Sequence, residues 1–229
     1  MTGEQQIIIV DDDPDVRATL SLLLRAASYP VCCFASGREF LAASHAGAGC
    51  LVADIRMPDM DGLQLQAQIA RAGLVLPVIF ITGHGDVALA VRAMKAGAVD
   101  FLEKPFDGET LIASVEKALK MGQAWRDRDA ETRAARSLMA ALTARERDVL
   151  EHLVKGRPNK IVAFELGISP RTVEIHRARI MTKMKARSLS DLVRAVLAAG
   201  EPATDRAAAA APPRRAAASA SAGPEASRA

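Results

Sequence analysis

A chain of 229 residues, half of them hydrophobic and a quarter charged, has the composition of a globular protein that can bury one large core or two small ones. Aromatic residues make up only 3%, so a core must be built from Leu, Ile, Val, Ala and Met. The net charge of +3 hides an asymmetry: residues 1–120 carry 10 Lys/Arg against 15 Asp/Glu, a balance of −5, whereas residues 138–200 carry 12 against 6, a balance of +6. That division predicts that only the second half meets a polyanion. Cys32, Cys33 and Cys50 sit at no metal-ligand spacing and are expected as small buried hydrophobes in a reducing cytosol, not as a disulfide framework. The N-terminus lacks the pattern of a signal peptide, and the most apolar run, Leu74 to Thr82, is broken by Pro77 and too short to span a bilayer. A soluble cytoplasmic chain with no membrane partner is therefore expected.

Up to about residue 120, short apolar runs alternate with amphipathic stretches. The runs Ile7–Val10, Val31–Phe34, Cys50–Ala53, Val78–Ile81 and Ala98–Leu102 read as strands buried on both faces. Between them lie helical segments: one opened by Pro14 with Leu20, Leu23 and Leu24 as its apolar stripe, then Arg38–Ala43, Leu63–Ala72, Val87–Ala96 and Gly108–Leu119. Five strands alternating with five helices predict a doubly wound α/β domain with a five-stranded parallel sheet, over residues 4–120. Functional residues of such a sheet gather beyond the C-terminal ends of its strands.

Those ends carry Asp11, Asp12 and Asp13 after the first strand, Asp54 after the third, Thr82 with Gly83 after the fourth, and Lys104 with Pro105 after the fifth. Each has a plainer reading on its own, as a loop starter, a turn or a helix cap, and Asp13 beside Pro14 is best read as a cap. Their succession at separate strand ends points to one site. Crowded carboxylates repel unless a hard cation joins them, and Mg²⁺ with oxygen ligands suits them. A carboxylate beside that ion and a Lys is a nucleophile toward phosphorus, with the metal and ammonium stabilising the transferring phosphoryl oxygens and Thr82 placed to hydrogen-bond the attached group.

Residues 121–141 are charged and Ala-rich and suit a helical linker extending the last helix of the first domain. A second domain is expected over residues 142–200. Thr143 with Glu146 forms a capping box for a helix through about Lys155, and Gly156 to Pro158 end it. A short helix follows over Asn159–Leu166, then a turn at Gly167 and Ile168. Ser169 as N-cap and Pro170 at the first helical position start the next helix. At 100° per residue Val173, Ile180 and Met184 share its buried face, and the opposite face presents Arg171, Glu174, Ile175, Ala178, Arg179 and Thr182. An exposed Ile amid charge suits a helix in a major groove, where it can meet a thymine methyl while Glu accepts from cytosine N4. His176 and Lys183 on one flank and Arg177 on the other are set to reach phosphates. Thr172 and Lys160 complete the expected DNA-contacting set. From Glu201 onward the Ala/Pro/Arg/Ser composition cannot offset its ordering entropy and reads as a disordered tail.

The stretches IIIVDDDPDVR, LVADIRMPDMDG, IFITGHGDV and AMKAGAVDFLEKPF resemble response-regulator receiver domains, whose fold is flavodoxin-like. The stretches LTARERDVL, GRPNKIVAFELGISPRTVEIHR and KMKARSLSDLVR resemble the all-α helix-turn-helix domain of the LuxR/FixJ/NarL family, and the order of the two domains matches its FixJ-like group. The resemblance implies that Asp54 is the phosphoacceptor, that Asp11, Asp12, Asp54 and the backbone carbonyl of Arg56 hold Mg²⁺, and that Lys104 contacts the phosphoryl group. By the same resemblance Thr82 senses that group, Phe101 is a rotating aromatic that follows it, Lys104–Pro105 is cis, and Arg56 and His84 tune loss of the phosphoryl group. It also implies a fourth helix over Leu189–Ala199 supporting dimerisation, and Glu174, Ile175 and Ala178 at base-reading positions.

The function so implied is that of a two-component transcription factor. A partner sensor histidine kinase phosphorylates it, which promotes a homodimer that binds double-stranded DNA and engages RNA polymerase; it is no enzyme beyond assisting its own phosphoryl transfer and dephosphorylation. Two other readings compete. A Mg²⁺-dependent phosphohydrolase would use Asp11 and Asp13 in an Asp-x-Asp sequence but needs no basic helical domain, and an inert receiver would serve only as a dimerisation scaffold. His84 as a metal ligand or general base has no other His at ligand spacing to support it.

Overall fold

The structure is a computed structural model that describes residues 5–45, 47–83 and 87–200. In chain order it contains β1 (Gln6–Val10), α1 (Pro14–Ala26), β2 (Val31–Phe34), α2 (Gly37–Ala42), β3 (Ala48–Asp54), α3 (Gly62–Arg71), β4 (Val78–Thr82), α4 (Val87–Lys95), β5 (Asp100–Glu103) and α5 (Gly108–Ala140). Four further helices follow: α6 (Ala144–Val154), α7 (Asn159–Leu166), α8 (Pro170–Lys183) and α9 (Leu189–Gly200).

The strands form one parallel sheet in the order β2-β1-β3-β4-β5. The order reverses between β1 and β3, and their C-terminal ends therefore flank the crevice where a doubly wound sheet binds its ligands. Alternation along the strands divides the core in two. Ile7, Ile9, Val52, Ile79 and Ile81 pack with Leu20 and Leu24 of α1 and with Leu111 and Val115 of α5. Ile8, Val10, Leu51, Ala53 and Phe80 pack on the other face with Phe40 of α2 and with Leu65 and Ile69 of α3. The central strands are buried on both faces, as continuous apolar runs of a parallel sheet should be.

The edge strands correct two expectations. β2 lies at one edge, so Cys33 is exposed and Cys32 half-buried; only Cys50 is the buried small hydrophobe expected of all three. Burial pushes the Cys50 thiol up to about 12, which keeps it protonated and unreactive. At the other edge β5 starts at Asp100 rather than Ala98. Gly97, at φ 92°, ends the α4 turn, and the Ala98 N–H closes back on the Ala93 carbonyl, so Ala98 and Val99 are buried before the strand begins.

Helix α5 runs for 33 residues without a break, about 50 Å, from the sheet into the basic half of the chain. Its last turns bring Leu138 and Met139 onto a second core of Leu142, Val149, Leu153, Val162, Val173, Ile180, Met184 and Leu192. Val173, Ile180 and Met184 are buried, as the helical spacing predicts. The expected caps are present: Asp13 on α1, Ser169 on α8, and the Thr143–Glu146 capping box on α6. Gly167, at φ 65°, supplies the left-handed residue that ends α7 and turns the chain into α8. Among the described residues no helix is long and apolar enough to cross a membrane.

Candidate functional site

Asp11, Asp54, Thr82 and Lys104 converge where the central strands end. Asp11 is 2% exposed and Asp54 9% exposed, and Lys104 Nζ lies 3.3 Å from Asp11 Oδ2 and 3.2 Å from Asp54 Oδ1. The remaining carboxylate oxygens are held by backbone: Asp11 Oδ1 accepts the Asp13 N–H at 2.9 Å, and Asp54 Oδ2 accepts the Arg56 N–H at 2.7 Å. The Arg17 guanidinium donates to the Asp11 carbonyl at 2.6 Å. Asp13 is turned away to cap α1, taking the N–H groups of Asp15 and Val16. Asp12 is exposed beside them.

The loop after Asp54 is held close by Gly62 at the first turn of α3. A Cβ there would lie 2.8 Å from both the Asp54 carbonyl oxygen and the Phe80 ring, so only glycine lets α3 start against the end of β3. Thr82 is buried at the end of β4, and its carbonyl accepts the Lys104 N–H at 2.7 Å. The Lys104–Pro105 bond is cis. Phe101 stands opposite Phe80 in the β4–β5 register and is half-buried against the α3 side of the core. A cleft of about 560 Å³, lined by Asp12, Arg56, Met57, Pro58 and Leu89 among others, opens beside this edge. His84 lies outside the described residues.

Burial raises the Asp11 pKa, and the Asp54 charge adds to this against the opposing pull of the Asp13 N–H and Lys104. Burial alone would lower the Lys104 pKa, but Asp11 and Asp54 more than reverse it and hold the ammonium charged. Among the described residues no trio of His, Cys, Asp or Glu side chains is gathered at metal-binding spacing. The donor chemistry nevertheless fits a hard cation: carboxylate oxygens of Asp11, Asp12 and Asp54 with the Arg56 carbonyl are all-oxygen ligands, and Lys104 supplies positive charge to two of them here.

The second surface is α8. Arg171, Glu174, Ile175, Arg177, Ala178 and Arg179 are exposed along it, and Thr172 is half-buried in its first turn with its hydroxyl 2.8 Å from Ser169 Oγ. Lys160 is exposed on α7. His176 is half-buried, and its Nδ1 is buried without a hydrogen-bond partner. Lys183 is already engaged: its ammonium lies 2.6 Å from Glu146 Oε2 and 3.3 Å from the Ala141 carbonyl, tying the end of α8 to the start of α6. Glu146 is 2% exposed, and Lys183 together with the Thr143 N–H pulls its pKa down to about 2. The sequence offers no local signal for this pair, which spans 37 positions.

A sheet edge of buried acids around a lysine, joined by one helix to a helix-turn-helix, is the arrangement of a signal-receiving domain coupled to a DNA-binding one. Residues 7–116 match the response regulator receiver domain, and residues 140–196 match the bacterial regulatory proteins of the luxR family. The chain is 44% identical over 201 residues to the transcriptional regulatory protein FixJ of Bradyrhizobium diazoefficiens, spanning 87% of this chain and 98% of that protein. It is 47% identical over 194 residues to FixJ of Rhizobium meliloti, spanning 84% and 95% respectively. Among solved structures, the response regulator StyR aligns with a TM-score of 0.71 at 41% identity over 84% of this chain and 98% of that one. Full-length FixJ from B. japonicum aligns with a TM-score of 0.52 at 43% identity over 86% of this chain and 98% of that one. The chain belongs to the FixJ-like response regulators, transcription regulators with a receiver and a LuxR-type DNA-binding domain.

Proposed function

We propose that Asp54 is the phosphoacceptor of this regulator and that its phosphorylation controls dimerisation and DNA binding. The observation that carries the reading is Lys104 Nζ bridging Asp54 and Asp11 at the switch point of the sheet. An Asp54 carboxylate oxygen attacks the phosphorus of a phosphohistidine on a partner sensor kinase. The P–N bond breaks, the imidazole leaves with its electron pair, and an acyl phosphate remains on Asp54. Mg²⁺ held by Asp11, Asp12, Asp54 and the Arg56 carbonyl would neutralise charge on the transferring oxygens. Lys104 keeps its charge for the same oxygens, Thr82 hydrogen-bonds the attached group, and Phe101 follows Thr82 inward. The same residues, with Arg56 and His84 at the rim, govern hydrolysis of the acyl phosphate.

Residues 4–120 form the switch, 121–141 the linker, 142–200 the output domain, and the segment from 201 a tail. The unphosphorylated receiver holds the output domain monomeric or covered, and phosphorylation shifts the population toward a homodimer whose two α8 helices enter successive major grooves. Glu174, Ile175 and Ala178 read bases. Arg171, Thr172, His176, Arg177, Arg179 and Lys160 contact the phosphate backbone, and Lys183 does so where it leaves Glu146. RNA polymerase is the further partner, and the cytoplasm the compartment. Intact-mass measurement with acetyl phosphate and Mg²⁺ tests the chemistry: one phosphoryl group on wild type and none on Asp54→Asn is expected, and equal labelling of both defeats the assignment.

A further inference from the structure

At the end of the sheet remote from Asp54, a cavity of about 430 Å³ lies between α3, the loop into β4 and the linker portion of α5. Its walls are apolar, with Ile69, Leu74 and Leu76 on the receiver side and Trp125 on the helix. The only charged side chains lining it, Asp129 and Arg133, pair with each other. One lining residue breaks the pattern. Gln66 is 7% exposed; its Nε2 donates to the Ala96 carbonyl at 3.1 Å, while its Oε1 is buried and accepts no hydrogen bond. A buried acceptor left without a donor is costly and rare in a folded protein.

We propose that this cavity binds a small, neutral aromatic molecule carrying one hydrogen-bond donor, which the Gln66 Oε1 accepts. The volume lies in the range of small-molecule sites, whose pattern is apolar walls with few, placed polar groups. An indole on the wall favours a ring over an aliphatic chain. The mutual pairing of Asp129 and Arg133 leaves no counter-charge for an ionised ligand, whose desolvation would go uncompensated. The bound molecule touches the helix that leaves the receiver and the side chain that fastens the C-terminal end of α4, so it clamps the linker against the receiver. Binding itself stands apart from the phosphorylation reading; only its effect on output rests on that reading.

Trp125 is the single tryptophan of the chain and reports directly on the cavity. The test titrates the full chain with benzyl alcohol and with toluene, which has the same ring but no donor, and follows Trp125 emission. A saturable change is expected with benzyl alcohol at about five- to tenfold higher affinity than with toluene, the worth of one hydrogen bond. Gln66→Met should erase that preference. Ala70→Leu, at an exposed α3 position lining the cavity, keeps the test decisive if the buried change impairs folding: it should abolish saturation with both compounds. A strictly linear response of wild type to benzyl alcohol, equal affinities for the two compounds, or undiminished binding by Ala70→Leu would overturn the proposal.

Discussion

At the acidic edge of the sheet Lys104 is held between two nearly buried carboxylates, whereas on α8 the side chains of Arg171, Glu174, Arg177 and Arg179 stand exposed. In the first setting water is scarce, so each charge acts strongly on its neighbours, and burial shifts even the proton affinity of Asp11. In the second the charges are solvated and screened by salt, and they become effective when a polyanion arrives. Lys183 cuts across the division. It sits on the basic helix yet is paired with the buried Glu146, as Lys104 is with its acids. It differs in having one carboxylate and a carbonyl instead of two carboxylates, so its arrangement fastens helices and leaves no second acid to act as a nucleophile. What separates a reactive lysine site from a structural one here is the second buried acid.

That contrast can be broken at several points. The largest effect is expected at Ile180→Ala, which empties a fully buried position of the output core and should cost about 2–5 kcal/mol. In urea the unfolding transition of the helical domain should move to lower denaturant while that of the receiver stays in place. Lys104→Ala removes the charge shared by Asp11 and Asp54, and labelling of Asp54 by acetyl phosphate should slow by roughly 10²-fold. Time-resolved intact mass reads this directly.

Glu146 gives a pH-dependent test. Its folded pKa is depressed from the ordinary 4.5 to about 2, so its contribution to stability is complete above pH 4.5 and is lost as the pH falls toward 2. Thermal melts of wild type should weaken through that window. Glu146→Gln should lower stability at neutral pH, where Lys183 loses its charged partner, and should flatten the acid-side loss. The smallest effect is expected at Arg177→Ala, which should weaken DNA binding about equally across sequences and reduce the salt slope of the affinity by roughly 1. Titrations of a labelled duplex at several salt concentrations measure it.

Much of this architecture was legible in the sequence because its signals are local. Ile7–Val10 and Val78–Ile81 are unbroken β-branched or aromatic runs, Ser169–Pro170 opens a helix by its own chemistry, and Val173 and Ile180 repeat at helical spacing. Asp11, Asp54, Thr82 and Lys104 could be grouped because a parallel sheet brings its strand ends to one edge. The features that escaped depend on approach in space. Cys33 is exposed because β2 is an edge strand, a matter of strand order. Lys183 looks like any basic residue of a DNA-facing helix until α6 is packed beside it. Gln66 reads as one more polar residue on α3 until Ala96 takes its amide and leaves its oxygen in a cavity.

Sedimentation velocity of wild type and Asp54→Asn, with and without acetyl phosphate and Mg²⁺, tests most directly whether chemistry at the buried acids governs assembly of the DNA-binding form. The expected result is a shift of wild type from monomer to dimer on adding the phosphodonor, with Asp54→Asn remaining monomeric. Dimerisation of Asp54→Asn to the same extent as wild type on phosphodonor addition would contradict it.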